Sequence, residues 1–159
     1  MTGRPEPLKA LSVRQPWLEL ILRGVKVIEY RSQSTRTRAT IYLYASRQRY
    51  TPAEERAAAA QFGVTMTDEE LDGLPRGVVA GRVDLVGCEW CEAEGRYHWH
   101  LRRPVRLRTP VPPAEKPQPI FFHPFGKPAS GGGRPGLRPL SPSGEAKGPD
   151  QADRPGAGP

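Results

Sequence analysis

The residues from Leu11 to Ser46, LSVRQPWLELILRGVKVIEYRSQSTRTRATIYLYAS, leave the chain little conformational choice. A short apolar strand, Leu8 to Val13, runs into Gln15-Pro16-Trp17. Proline suits the first turn of a helix, where its missing N–H would have had no partner. Leu18, Ile21 and Leu22 then recur at helical spacing, with Glu19 and Arg23 off that face. Gly24 ends the helix, because glycine takes the left-handed conformation without steric cost. A strand starts at once, with Val27, Glu29 and Arg31 on one side and Ile28 and Tyr30 on the other. The next strand, Thr40 to Ser46, alternates Ile41, Leu43 and Ala45 against Tyr42, Tyr44 and Ser46. Lys26, Glu29 and Arg31 are thereby crowded onto a tight helix-to-strand corner, and a site is expected there.

The remaining elements follow from their punctuation. Thr51-Pro52-Ala53-Glu54 predicts a helix start, with threonine as N-cap, proline at N1 and glutamate at N3. The alanine-rich helix is expected to reach Phe62 and stop at Gly63. Thr67-Asp68-Glu69-Glu70 repeats the signal for a short helix ending near Gly73. Gly77 to Val86 reads as a strand with Val79, Val83 and Leu85 on one face, and Gly81 marks a bend or a close backbone approach. Tyr97 to Leu101 and Val105 to Leu107 read as two strands joined around Pro104. Ile120-Phe121-Phe122 reads as a last short strand or an apolar plug. From Pro124 onward, seventeen of 36 residues are proline or glycine, without apolar periodicity. Nothing there offsets the entropy of ordering, so a disordered tail is expected. The division is a lead-in at 1–7, one domain at 8–123 and a tail at 124–159.

Charge and composition narrow the partners. The net charge is +7 and the pI near 9.8. Residues 124–159 hold five basic and three acidic residues, a balance of +2, which leaves +5 on 1–123. An anionic partner is implied, nucleic acid first. No apolar run reaches the ~20 residues that span a bilayer. The first residues lack the apolar core of a secretory signal. Two cysteines make no disulfide framework. A cytoplasmic, monomeric protein with no membrane contact and no cofactor is the expectation.

The segment Gly24-x-Lys26-x-x-Glu29-x-Arg31, with Ser12-Val13-Arg14-Gln15-Pro16-Trp17 before it and Tyr44-Ala45-Ser46 after it, resembles the ASCH domain family. The resemblance runs roughly from Leu8 to Phe122. It implies an α+β fold, a PUA-like mixed β-barrel with two or three covering helices. It also implies a cleft beside the barrel that takes RNA, other nucleic acid or a nucleotide. The residues carried over to that cleft are Arg14, Gln15, Trp17, Lys26, Glu29, Arg31 and Ser46. The pattern breaks at Pro113 to Pro119, where a proline-rich stretch replaces a glycine-bearing turn.

Three chemistries compete. As a binding site, Lys26 and Arg31 would meet an anion or the polar edge of a base, and Glu29 would orient them and accept a base N–H. Substituting either cation is then expected to weaken binding with little loss of stability. Ser32 to Arg38, SQSTRTR, is a second place for phosphate contacts. The alternative is an enzyme, either an RNA-cleaving hydrolase or an amidohydrolase acting on N4-acetylcytidine-type modified nucleosides. Some small ASCH proteins perform the latter reaction with the lysine that Lys26 matches. Their threonine nucleophile is replaced here by Glu29, so catalysis would need Glu29 as general base and Lys26 steadying the oxyanion. A further carboxylate would come from Asp84, Glu89, Glu92 or Glu94. The third option is zinc on Cys88, Cys91, His98 and His100, since CxxC with two nearby histidines can supply four ligands. The plainer alternative is a strand end with one partly buried cysteine and histidines that are ordinary polar strand residues, and no metal is the expectation.

Overall fold

The computed structural model describes residues 5–129. One six-stranded mixed sheet and three helices make up the fold. In chain order they are β1 (Ala10–Val13), α1 (Trp17–Leu22), β2 (Ile28–Arg31), β3 (Ala39–Ala45), α2 (Pro52–Ala60), α3 (Asp68–Asp72), β4 (Val78–Cys91), β5 (Arg96–Val111) and β6 (Phe121–Phe122). The sheet order is β2-β5-β4-β3-β1-β6, with β1 parallel to β3 and the other pairs antiparallel.

The expected barrel is not closed. β2 and β6 stand at opposite edges, and no ladder joins them among the described residues. Side chains bridge the gap instead: Arg31 on β2 donates to the Ser12 carbonyl on β1 at 2.8 Å. Trp99 of β5 stacks on Phe121 of β6 with ring centroids 5.6 Å apart. The sheet therefore curls without completing its hydrogen bonding. The closing strand has only two residues and cannot carry a longer ladder.

Both faces of β3 are buried, as its alternation implies. Ile41, Leu43 and Ala45 join Leu11, Val13, Leu18, Ile21, Val83, Leu85 and Trp99 in the main core. Tyr42 and Tyr44 join Leu8, Ala10, Val79 and Phe122 on the other face, where Leu107 and Phe125 pack as well. Tyr42 meets Phe125 edge-on at 5.4 Å, and the Pro124 carbonyl accepts from the Ala114 and Glu115 amides. Packing thus continues to Phe125, past the start of the stretch read as a tail. Residues 130–159 of that stretch, and residues 1–4 of the lead-in, lie outside the described residues.

Both capping boxes form. The Thr51 and Thr67 side chains accept from the Glu54 and Glu70 amides, and the two glutamates return the contact. Gly24 has φ +79° after the last turn of α1, the left-handed stop anticipated for it. The covering role expected of the helices falls to α1, whose Leu18 and Ile21 enter the main core. α2 and α3 instead share a separate cluster of Ala59, Met66 and Leu71.

β5 differs from the sequence reading. Pro104 does not split it; one strand runs from Arg96 to Val111, and Arg103 takes φ +51° within it. The pairing with β4 shifts register three times, and the shift from Arg82–Val105 to Asp84–Arg102 takes up Arg103 and Pro104 without ending the ladder.

Gly81 is where the backbones come closest. A Cβ built there would lie 2.5 Å from Leu22 Cδ2 and 2.7 Å from the Val105 carbonyl oxygen. The second contact is backbone and cannot swing aside. Gly81→Ala is therefore expected to cost about 1–3 kcal/mol, as overpacked cores do, read as a lower denaturation midpoint. An unchanged midpoint would mean that both α1 and the β5 backbone at Val105 yield to the added methyl group.

Candidate functional site

The corner between α1 and β2 is a buried ionic network. Two main-chain amides, of Val25 and Lys26, donate to the Leu20 carbonyl at 3.1 Å and fix the turn after the helix. Lys26 is 3% exposed. Its ammonium donates to Glu29 Oε1 at 2.9 Å and also to the Ile28 carbonyl. Arg31 Nε donates to Glu29 Oε2 at 2.7 Å. Both oxygens of Glu29 are thus engaged by cations, and Glu29 itself is 7% exposed. Burial lowers the Lys26 ammonium from its ordinary value, opposed by the charge and hydrogen bond of Glu29.

Above this network opens a cleft of about 920 Å³. Six of the seven residues carried over to it line it: Arg14, Trp17, Lys26, Glu29, Arg31 and Ser46. Gln15 does not. It is fully buried, its Nε2 donating to the Pro75 carbonyl and its Oε1 accepting from the Glu19 amide. Its role in the structure is to pin the start of α1.

The rim holds residues that sequence reasoning missed. On one side Arg14 lies 4.8 Å from the Tyr50 ring centroid and donates to its hydroxyl, while Trp17 meets the same ring edge-on at 5.3 Å. On the other side Arg96 lies 3.9 Å from the Tyr30 ring centroid. Arg47 and Gln48 add to the first side. Pro117, Gln118, Pro119 and Ile120 form a wall, tied down where Ser12 Oγ donates to the Gln118 carbonyl at 2.7 Å and the Ser12 amide to that of Ile120 at 2.9 Å. No sequence signal marks Tyr50 or Arg96, which join the cleft only through the return of distant segments.

The loop that carries Tyr50 is held by Glu55, which is fully buried. Glu55 Oε1 accepts from Arg49 at 2.7 Å, Oε2 accepts from the Tyr50 amide at 3.2 Å, and Arg76 lies 3.5 Å away. Burial raises its carboxyl, but the Arg49 hydrogen bonds, the Tyr50 amide and Arg76 together hold it below the ordinary value. Glu19 is a second such group. Burial raises it, and Arg106 and Arg23 outweigh that.

The four residues considered for zinc separate. Cys88 packs against the main core, and burial pushes its thiol up. His100 pairs with Glu89 at 2.8 Å. Cys91 and His98 fall on the same face of the β4–β5 hairpin, where they meet Glu94. The SQSTRTR loop supports the fold: Trp99 Nε1 donates to the Gln33 carbonyl at 2.9 Å, and Lys9 donates to Thr37 Oγ1 at 3.0 Å.

The sequence pattern of the ASCH domain matches residues 11–113, which include every strand of the sheet except β6 and all but the first residue of β1. The chain belongs to the ASCH domain family. It is also similar to activating signal cointegrator 1 of Homo sapiens, 35% identical over 80 residues, and to its Mus musculus counterpart at the same identity and length. The matched part is 49% of this chain and 14% of each relative. The cleft wall at Pro117 to Ile120 lies beyond the ASCH match.

Burial changes what the Lys26 and Arg31 substitutions are expected to do. Lys26→Ala would leave Glu29 short of one cation inside the fold, a loss of about 3 kcal/mol for a broken buried pair, read by thermal melting. A melting temperature equal to the parent's would remove the network from any structural role. Glu55 and Glu19 set the acid limit. A carboxylate lowered in the fold stabilises fully above its ordinary value near 4.5 and loses that contribution as pH falls through the lower folded value. Acid unfolding is thus expected below pH 4.5, with Glu55→Gln flattening the dependence in a pH titration of stability.

Proposed function

We propose that this ASCH domain binds single-stranded nucleic acid, RNA first, or a nucleotide, in the cleft between β1, β2 and the Arg47–Tyr50 loop. The supporting observation is the pair of arginine-on-tyrosine contacts, Arg14 with Tyr50 and Arg96 with Tyr30, on two sides of one 920 Å³ cleft. Guanidinium groups neutralise phosphates, while tyrosine and arginine planes offer stacking surfaces to unpaired bases. The volume lies near the upper end for small-molecule pockets, which suits more than one nucleotide. Lys26 and Arg31 are committed to Glu29, so the rim takes the phosphates and the floor shapes the cleft. Membership of a family linked to RNA binding and the basic balance of the chain agree with this.

The same commitment weakens the hydrolase reading. Glu29 already meets a cation on each oxygen, at 2.9 Å from Lys26 and 2.7 Å from Arg31, so a water drawn to it would have to share both oxygens with those partners. Among the described residues no helix is long and apolar enough to cross a membrane. Both cysteines are free thiols, which suits a reducing compartment.

Fluorescence anisotropy with a short single-stranded RNA tests the reading. Affinity is expected to fall steeply with salt. Arg14→Ala and Arg96→Ala should each weaken binding and lower the salt slope by about one. Parent-like binding in both variants would remove the cleft from consideration. Incubation with N4-acetylcytidine is expected to release no cytidine; sustained release lost in Lys26→Ala would establish the enzyme instead.

A further inference from the structure

We propose that the β4–β5 hairpin holds a divalent transition-metal ion of the zinc class on Cys91, Glu94 and His98. Hairpin geometry brings the three together. Cys91 ends β4 opposite Arg96, and Glu89 faces His98, so Cys91 and His98 are diagonal neighbours on one face. The turn between the strands is closed by the Glu94 and Gly95 amides, which donate to the Cys91 carbonyl at 3.2 and 2.8 Å. Gly95 has φ +67°, which lets the chain reverse there and sends Glu94 back over the same face.

The donor atoms of Cys91, Glu94 and His98 all lie within 4.8 Å of one another, and Glu94 Oε1 is 3.0 Å from His98 Nε2. Tetrahedral donors at 2.0–2.3 Å from zinc stand roughly 3.3–3.8 Å apart, so side-chain rotation alone closes the set. One thiolate, one imidazole and one carboxylate leave a fourth position for water or an incoming ligand. Thiolate and imidazole together favour zinc-class ions over magnesium or calcium. The donors span eight residues of one hairpin, so binding requires no rearrangement of the fold. Cys88 takes no part, since it faces the core.

The site has a route to the cleft through Arg96. That guanidinium donates to Glu94 Oε1 at 2.8 Å, the oxygen that also meets His98, and it stacks on Tyr30 in the cleft. His98 touches the same tyrosine edge-on at 5.0 Å. A metal that takes Glu94 withdraws the counter-charge from Arg96 and leaves its cation to the cleft. Metal occupancy therefore raises affinity for an anionic ligand; this consequence, unlike the metal site, rests on the nucleic-acid reading above.

Titration of the full chain with Co²⁺ provides the test. The expected result is one equivalent bound with a near-ultraviolet thiolate-to-cobalt absorption band, competed away by Zn²⁺. Cys91→Ser should abolish the band and His98→Ala should abolish or shift it, while Cys88→Ser should retain it. Circular dichroism checks that each variant is folded, and Cys91, half-buried at the end of a strand, is the substitution the fold tolerates best. No thiolate band in the parent, or a band that survives Cys91→Ser, overturns the site. Anisotropy with the same RNA, in chelator and then in Zn²⁺, reads the linkage separately. A gain of about five-fold that is absent in Arg96→Ala is expected. RNA binding in chelator with no gain in Zn²⁺ overturns the linkage alone, and absence of RNA binding in both overturns the cleft reading.

Discussion

The structure turns on a carboxylate held between two cations. Glu29 sits on an edge strand of four residues that is paired on one side only, to β5. Lys26 reaches it from the turn after α1, and Arg31 reaches it from two residues along the strand. Arg31 then crosses to the Ser12 carbonyl on β1 and draws the two sides of the curled sheet together. Charges removed from water need partners on every side, and here each has them. The network is thus the clasp of an open sheet and, at once, the floor of the cleft.

That double duty divides labour within the site. A cation that closes a fold cannot also be given over to a ligand without leaving its partner exposed to an unpaired, buried state. The groups left for an anion are those whose present contacts are weak or solvated. Arg14 rests on a tyrosine, and Arg96 on a tyrosine and an exposed Glu94. Contacts of this kind at the surface contribute little to stability, so in the proposed binding mode they are the ones that give way to a phosphate. The rim can therefore adapt while the floor stays fixed.

The β4–β5 hairpin extends the same logic. Its far end carries Arg96 to the cleft, its core face buries Tyr97 and Trp99, and its outer face gathers sulfur, carboxylate and imidazole. Two-residue alternation makes this possible, because neighbouring residues on a strand serve opposite faces. It also separates Cys88 from Cys91: three residues apart on a strand, they point in opposite directions.

Much of this was written in local sequence. The strand, the helix and its Gly24 stop, both capping boxes and the alternation of β3 depend on residues within a few positions of each other, and the chain carries those signals openly; Pro16 alone is displaced, standing at the N-cap instead of in the first turn. Gly81 announced a close approach for the same reason, since a missing side chain in an apolar run needs a cause. The Lys26, Glu29 and Arg31 corner was legible as a cluster, but not as a buried one. Its burial comes from Ser12, Trp99 and the Pro117–Ile120 wall, up to about a hundred residues away, and no local pattern encodes their arrival. The continuity of β5 through Pro104 was hidden because only the register shifts against β4 accommodate the proline. The sheet's failure to close was partly legible, since Ile120 to Phe122 read as a short strand or a plug, but the missing pairing between β2 and β6 is decided only in the assembled sheet. Sequence by itself determined where most helices and strands of the described residues start and which residues crowd the corner. Tertiary structure decided which cations are spent on the fold and which remain at the rim, because burial belongs to the assembled sheet and not to any one strand.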